Sequence, residues 1–318
     1  MAGPIANPRN VAARTRRRQG SSPLFRAALS VALVVTCVFA LPNVLLATRS
    51  AVAPGGATEP PALVSGQVVM AGLQPGACMS FAPSDGRANK TVFIDPGHGG
   101  LDPGVVGSAG GKQVLEKDAA LAVATRLSAM LRADGYRVVM ARTADASVAK
   151  LTADDSVTGA MTADAVHRDL VDRAACANAS HASVLVSIHF DGFDDPSVGG
   201  TETFYDAARP FVGENKRLAQ DLQAALVAGL GSNDRGVWTD DQLAAPALTT
   251  SGNLYGHLIE LGPAANGWVE NPSQMPGALV EPLFITNPAE ARLASDPAGQ
   301  QRMALSLETG LQKYFAGA

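Results

Sequence analysis

The sequence predicts an α/β fold, one domain over residues 90–318 with a mostly parallel twisted sheet and helices on both faces. Two observations carry that reading. From Lys90 onward, short apolar runs alternate with segments of helical periodicity, the order that joins parallel strands through crossover helices. Two of the runs, Thr91-Val92-Phe93-Ile94 and Val184-Leu185-Val186-Ser187-Ile188, also lead into a histidine, His98 and His189. Ligands of open α/β sheets bind beyond the carboxyl ends of the strands, which is where both histidines stand.

Taken in order, the first strand runs into the glycine-rich turn Asp95-Pro96-Gly97-His98-Gly99-Gly100. A helix follows over 118–134, with Leu121, Ala124, Leu127 and Leu131 at helical spacing and Gly135 as its stop. Residues 137–141 read as a strand, 146–162 as polar and irregular, and 163–179 as a helix. The strand before His189 comes next, then a short strand over 201–205 and an amphipathic helix over 215–228. Residues 232–276 are less regular, with Leu258-Ile259 as a candidate strand core. A short strand over 278–280 follows. Asp296-Pro297, an N-cap with proline at the first helical position, opens a last helix through Met303, Leu307 and Leu311.

Ahead of the domain, residues 1–50 read as an arginine-rich N-terminus and an apolar signal or anchor segment. Arg14, Arg16, Arg17, Arg18 and Arg26 precede an uncharged run over 27–47, the layout of an export signal and long enough to span a bilayer. Ala51-Val52-Ala53 has the form of a cleavage site, but Pro54 directly behind it disfavours cleavage, so release and anchoring both stand. Residues 51–89, rich in Pro, Gly and Ala, read as a linker. The expected location is extracytoplasmic: secreted, periplasmic or associated with the cell wall, with the apolar segment as a membrane tether if it is retained. In such a compartment Cys78 and Cys176 favour a disulfide, two buried thiols being the alternative.

Charge narrows the partners. Residues 1–50 hold seven arginines and no acidic residue, leaving 18 Lys and Arg against all 29 Asp and Glu in the rest, a balance of −11. A surface of that sign disfavours nucleic acid.

The chemistry concentrates on His98, His189 and Glu116, the last just ahead of a helical pattern. Two imidazoles and one carboxylate are the ligand set of an open catalytic zinc site, in which three protein groups leave a fourth position to water. A strand-end histidine is also a common hydrogen-bonded rim residue, and on the residues alone both readings stand. Asp95 and Asp102 read as braces of the turn. His167, His181 and His257 lack a strand-end context and read as surface positions. Glu202 reads as a cleft residue or a solvated strand residue.

Six blocks in order resemble the zinc-dependent N-acetylmuramoyl-L-alanine amidases of the amidase 3 family, over about residues 90–315. They are Ile94-Asp95-Pro96-Gly97-His98-Gly99-Gly100 with Asp102 and Gly104; Glu116; Arg142-Thr143; Leu170, Arg173, Ala177 and Asn178; Ser187-Ile188-His189; and Leu279-Val280-Glu281 with Phe284, Asn287 and Glu290. The resemblance implies that His98, Glu116 and His189 bind Zn2+, that Glu281 is the catalytic base and acid, and that the substrate is peptidoglycan, cut between N-acetylmuramic acid and L-alanine. A competing string, Leu258-Ile259-Glu260-Leu261-Gly262, also looks like the family's catalytic string, but only Glu281 has Asn287 and Glu290 at the family spacing. Departures are Phe190-Asp191 after the second histidine, which brings a carboxylate towards the metal, and Leu283 where the family has glycine. Two other functions compete: another zinc peptidoglycan hydrolase such as a carboxypeptidase, and a catalytically inactive wall-binding or regulatory protein.

Overall fold

The computed structural model describes residues 65–242, 247–248 and 254–317. The expected signal or anchor run over 27–47, and the linker as far as residue 64, lie outside the described residues.

In chain order the elements are β1 (Gly66–Gln67), β2 (Ala77–Phe81), β3 (Thr91–Pro96), the hairpin of β4 (Val106–Ala109) and β5 (Lys112–Leu115), α1 (Glu116–Ala133) and β6 (Arg137–Arg142). Then come the hairpin of β7 (Ser156–Val157) and β8 (Ala160–Met161), α2 (Ala163–Ala179), β9 (Val184–Ile188), β10 (Thr201–Tyr205), α3 (Val212–Leu230) and β11 (Asp234–Thr239). The pair β12 (Ala247–Leu248) and β13 (Leu254–Tyr255), β14 (Gly277–Glu281), α4 (Pro288–Ser295) and α5 (Pro297–Ala316) complete them.

Eight strands form the main sheet in the order β1-β2-β6-β3-β9-β14-β10-β11. Its centre, β6-β3-β9-β14, is parallel, β10 joins β14 antiparallel, and β11 runs parallel to β10. Glu202 near the start of β10 therefore faces Glu281 at the end of β14. The carboxyl ends of β10 and β11 lie at the opposite end of the sheet from those of β3, β9 and β14.

Both faces are covered, which explains the continuous apolar runs. Val92, Ile94, Val184, Val186, Ile188 and Val280 pack with Leu127 of α1, Leu222 of α3 and Leu307 of α5. Phe93, Val139, Leu185, Phe204 and Leu279 face the other way, towards Ala177 of α2, Leu261 and Met275. The alternation puts Asp95 on that second face.

Two expectations are corrected. The linker reading of 51–89 fails from residue 66 onward, because β2 pairs with β6 and Ala77, Cys78 and Ser80 are buried. Cys78 is disulfide-bonded to Cys176 of α2, with Cα atoms 5.7 Å apart, so this edge strand is stapled to the second face. Leu258-Ile259 is a tight turn, closed by Gly262 N–H donating to the Leu258 carbonyl at 2.7 Å, and not a strand. Leu258 packs against the second face of the sheet without joining it, while Ile259 packs with Tyr255 and Val269.

Candidate metal centre and active site

The turn after β3 is built around His98, which holds a left-handed backbone (φ 60°) that non-glycine residues adopt at a cost of about 1–3 kcal/mol. Two buried guanidiniums fix it there. Arg142, at the end of β6, donates to the carbonyls of Pro96 (2.9 Å), Gly97 (2.8 Å) and Lys117 (2.7 Å). Arg173 of α2 donates to Asp95 (2.6 Å), Asp169 (2.9 Å) and the carbonyls of Pro96 (3.0 Å) and His98 (2.7 Å). Asp95 also accepts from Ser187 at 2.9 Å, so its expected bracing role is a buried charge pair across β3, β9 and α2. Gly97 is required for contact: a Cβ there would overlap the His189 ring. Gly104 (φ 65°) would likewise press a Cβ onto Glu116 Oε2 and the His98 ring.

His98, Glu116 and His189 meet on this turn. His98 Nε2 lies 3.0 Å and His189 Nδ1 2.9 Å from the same atom, Glu116 Oε1, and the two nitrogens are 3.2 Å apart. Glu116 opens α1, where the helix N-terminus favours a carboxylate. Its Oε2 accepts from Val105 N–H at 2.7 Å and its Oε1 from Phe190 N–H at 3.0 Å, which fixes its aim. Asp102 Oδ2 stands 2.7 Å from His98 Nδ1 and holds the ring with Nε2 towards Glu116. Burial alone would lower the His98 imidazole, but the Glu116 carboxylate and Asp102 raise it to about 10. Burial would raise Glu116, yet the facing imidazoles hold it far below the usual carboxylate range.

Glu281 ends β14 one strand away, where His189 N–H donates to the Val280 carbonyl at 3.0 Å. Its Oε2 is shielded from solvent and has no hydrogen-bond partner among the described residues. Burial first, then the charges of Asp191, Glu116 and Glu202, push its proton affinity well above the usual carboxylate range. The backbone behind it is tightly fixed. Glu290 accepts from Phe284 N–H (2.7 Å) and Gly200 N–H (2.8 Å), while Asn287 caps α4 through Ala289 N–H (3.0 Å). Those contacts are the physical reason for the Glu281, Asn287 and Glu290 spacing. Leu283, in place of glycine, fills the apolar core.

Glu260 lies elsewhere, on the second face. It is buried beside Asp95, its Oε2 without a hydrogen-bond partner among the described residues, and burial followed by Asp95 raises its proton affinity well above normal. Glu260 thus backs the turn from below. Asp191 turns to Glu202, and burial with that contact raises it well above the carboxylate range. Glu202 is buried and paired with Arg235 at 3.0 Å, which corrects the solvated reading and puts it beside Glu281. Surface positions were expected for three histidines, and only His181 is exposed. His167 packs against Trp268 (ring centroids 4.4 Å apart) and bonds its carbonyl at 2.6 Å, and His257 is half-buried between Asp206 and Asp240. Arg142 and Arg173 stand in two of the motif blocks without any sign there of their clamping role, and the Asp206–Asp240 pair has no local signature in the sequence.

Comparison with known proteins follows the same lines. Residues 92–313 match the Amidase_3 family, described as N-acetylmuramoyl-L-alanine amidase. N-acetylmuramoyl-L-alanine amidase LytC of Bacillus subtilis (strain 168) is 30% identical over 226 residues, covering 71% of this chain but only 36% of that protein. AmiA of Salmonella typhimurium is 30% identical, with 72% of this chain and 77% of that protein covered. Among solved structures, the CwlD amidase from Clostridioides difficile, determined in complex with the GerS lipoprotein, shares the fold at a TM-score of 0.56 and 26% identity, covering 72% of this chain and 100% of that one. A match over more than half of the chain, onto a fold shared with solved amidases, means that this chain belongs to the Amidase_3 family of N-acetylmuramoyl-L-alanine amidases.

Proposed function

We propose that His98, Glu116 and His189 hold a zinc ion, and that Glu281 is the acid–base carboxylate with which this amidase hydrolyses the amide between N-acetylmuramic acid and L-alanine in bacterial peptidoglycan. The observation that carries the reading is convergence: two imidazole nitrogens and a carboxylate oxygen lie within 3.2 Å of one another at the carboxyl ends of β3 and β9. A borderline divalent ion suits that donor set, and Asp102 orients His98 as such ligands require. When bound, zinc supplies Lewis acidity to the scissile carbonyl and to water.

The chain's own groups do the rest. Glu281 Oε2, free of protein partners, takes a proton from the attacking water. The same carboxyl then returns that proton to the departing alanine nitrogen, which leaves poorly as an amide anion. Glu202, held by Arg235, stands beside Glu281 on the neighbouring strand. The Arg142 and Arg173 clamp keeps His98 aimed while substrate comes and goes.

We also place the protein outside the cytoplasm, as the Cys78–Cys176 disulfide favours. Among the described residues no helix is long and apolar enough to cross a membrane, so a tether rests on the run over 27–47. Mass analysis of digested peptidoglycan tests the activity. Amide cleavage releases intact stem peptides beginning with L-alanine and leaves sugar without peptide. Trimmed stems still bound to sugar would show a carboxypeptidase instead, and unchanged material an inactive wall-binding protein.

A further inference from the structure

We propose that Asp206, Asp240 and His257 form a second divalent-cation site, for a zinc- or manganese-type ion, at the end of the sheet opposite the active site. Asp206 follows β10 and Asp240 follows β11, and because Tyr205 pairs with Thr239 the two carboxylates emerge side by side. His257, just past β13, brings Nδ1 to 2.7 Å from Asp206 Oδ2 and 3.3 Å from Asp240 Oδ1.

Two adjacent carboxylates buried almost completely repel each other unless a cation or a proton lies between them. The short approach of His257 to Asp206 is not directed as a hydrogen bond, and Asp206 Oδ2 has no hydrogen-bond partner among the described residues although its side chain is fully buried. A fully buried carboxylate oxygen with no hydrogen bond, facing an imidazole nitrogen and a second carboxylate oxygen, makes a donor set suited to an ion.

The surroundings are built to keep this geometry. Asp206 Oδ1 accepts from Ala208 N–H (2.7 Å) and Asp240 Oδ2 from Leu258 N–H (2.9 Å), so each carboxylate has one oxygen fixed by backbone and one turned inward. Arg209 donates to the Gly262 and Ser273 carbonyls, and Tyr255 to the Pro263 carbonyl at 2.9 Å, closing the loop that carries His257. His257 keeps 27% of its side chain exposed, which gives an ion a way in. Two carboxylates with one imidazole suit zinc or manganese better than a purely oxygen-seeking ion such as calcium. The bound ion would tie the ends of β10 and β11 to the turn that carries Glu260 under Asp95. Its role is structural.

The test is metal stoichiometry on the full chain, stripped with chelator, dialysed against Zn2+ or Mn2+ and analysed for bound ion. The unmodified protein should hold two equivalents. His98→Ala should keep one, with a Tm that still rises on adding the ion. His98→Ala with Asp240→Asn or with His257→Ala should hold none. A His98→Ala chain that binds no ion and shows no Tm shift overturns the proposal, and this measurement needs no change at the second cluster. So does an Asp240→Asn chain that still holds two equivalents. If His98→Ala instead keeps both equivalents while Asp240→Asn removes one, the second site stands and the triad assignment fails.

Discussion

Arg142 and Arg173 donate to the same atom, the carbonyl oxygen of Pro96, at 2.9 and 3.0 Å. Two fully buried guanidiniums converge from β6 and α2 on one peptide at the root of the His98 turn. Asp95 and Asp169 balance the pair of charges, with Arg173 bonded to both. The strained His98 backbone is thereby held from two sides.

Arg173→Ala should therefore act through structure. It would leave Asp95 and Asp169 buried without their cation, a loss of about 3–5 kcal/mol. Urea unfolding followed by circular dichroism measures it. Arg173→Lys should be intermediate, since an ammonium cannot reach four acceptors as a fork does. A loss under about 1 kcal/mol for the alanine variant would show that the clamp is dispensable.

Cys78→Ser should destabilise the disulfide-bonded protein by about 4–5 kcal/mol in the chain-entropy model for a closed loop of this size. The crosslink spans 98 residues and ties β2 to α2. Thermal unfolding with and without reductant gives the same comparison without mutation. Equal Tm values for the two states would contradict it.

Much of this arrangement could be read from sequence, and the exceptions have physical reasons. Strands β3, β6, β9 and β14 are short apolar runs and helices α1, α2, α3 and α5 carry helical spacing, and the structure has each of them. Strand β2 is five residues between glycine- and proline-rich stretches, so composition hid it as linker. Strand β11, with Arg235, Gly236 and Trp238 on an edge, has no apolar alternation to find. Helix α4 spans only eight residues and depends on the Asn287 cap. In the site, His98, Glu116, His189 and Glu281 stood out because strand ends and motif spacing are local features. Glu260 could be weighed only as a motif, because its contact with Asp95 is made across the sheet face.

Metal binding should strengthen with pH. In the metal-free chain His98 is raised from 6.5 to about 10, so at neutrality it carries a proton on the nitrogen that the ion needs. Binding displaces that proton, and affinity at the triad should rise about tenfold per pH unit until the imidazole is neutral near its raised value. Competition with a chelator at pH 6.5 and 7.5, in an Asp240→Asn background, reports the slope. A flat response would place the proton elsewhere.

Glu260→Gln should cost less than tenfold in activity. Glu260 faces Asp95, and a glutamine amide can donate to that carboxylate from nearly the same position. Glu260→Leu, which offers no donor, should lower stability by about 1–3 kcal/mol while leaving the reacting groups in place. Differential scanning calorimetry beside a digestion assay separates the two effects.

The identity of the working carboxylate is the central claim, and Glu281→Gln tests it most directly. The change is nearly isosteric and touches none of the triad, so fold and bound metal should match the unmodified protein. Activity on purified peptidoglycan should fall by about two to four orders of magnitude, the usual contribution of a positioned acid–base group. A Glu281→Gln enzyme that digests peptidoglycan at the unmodified rate, beside a Glu260→Gln enzyme that does not, would contradict the account.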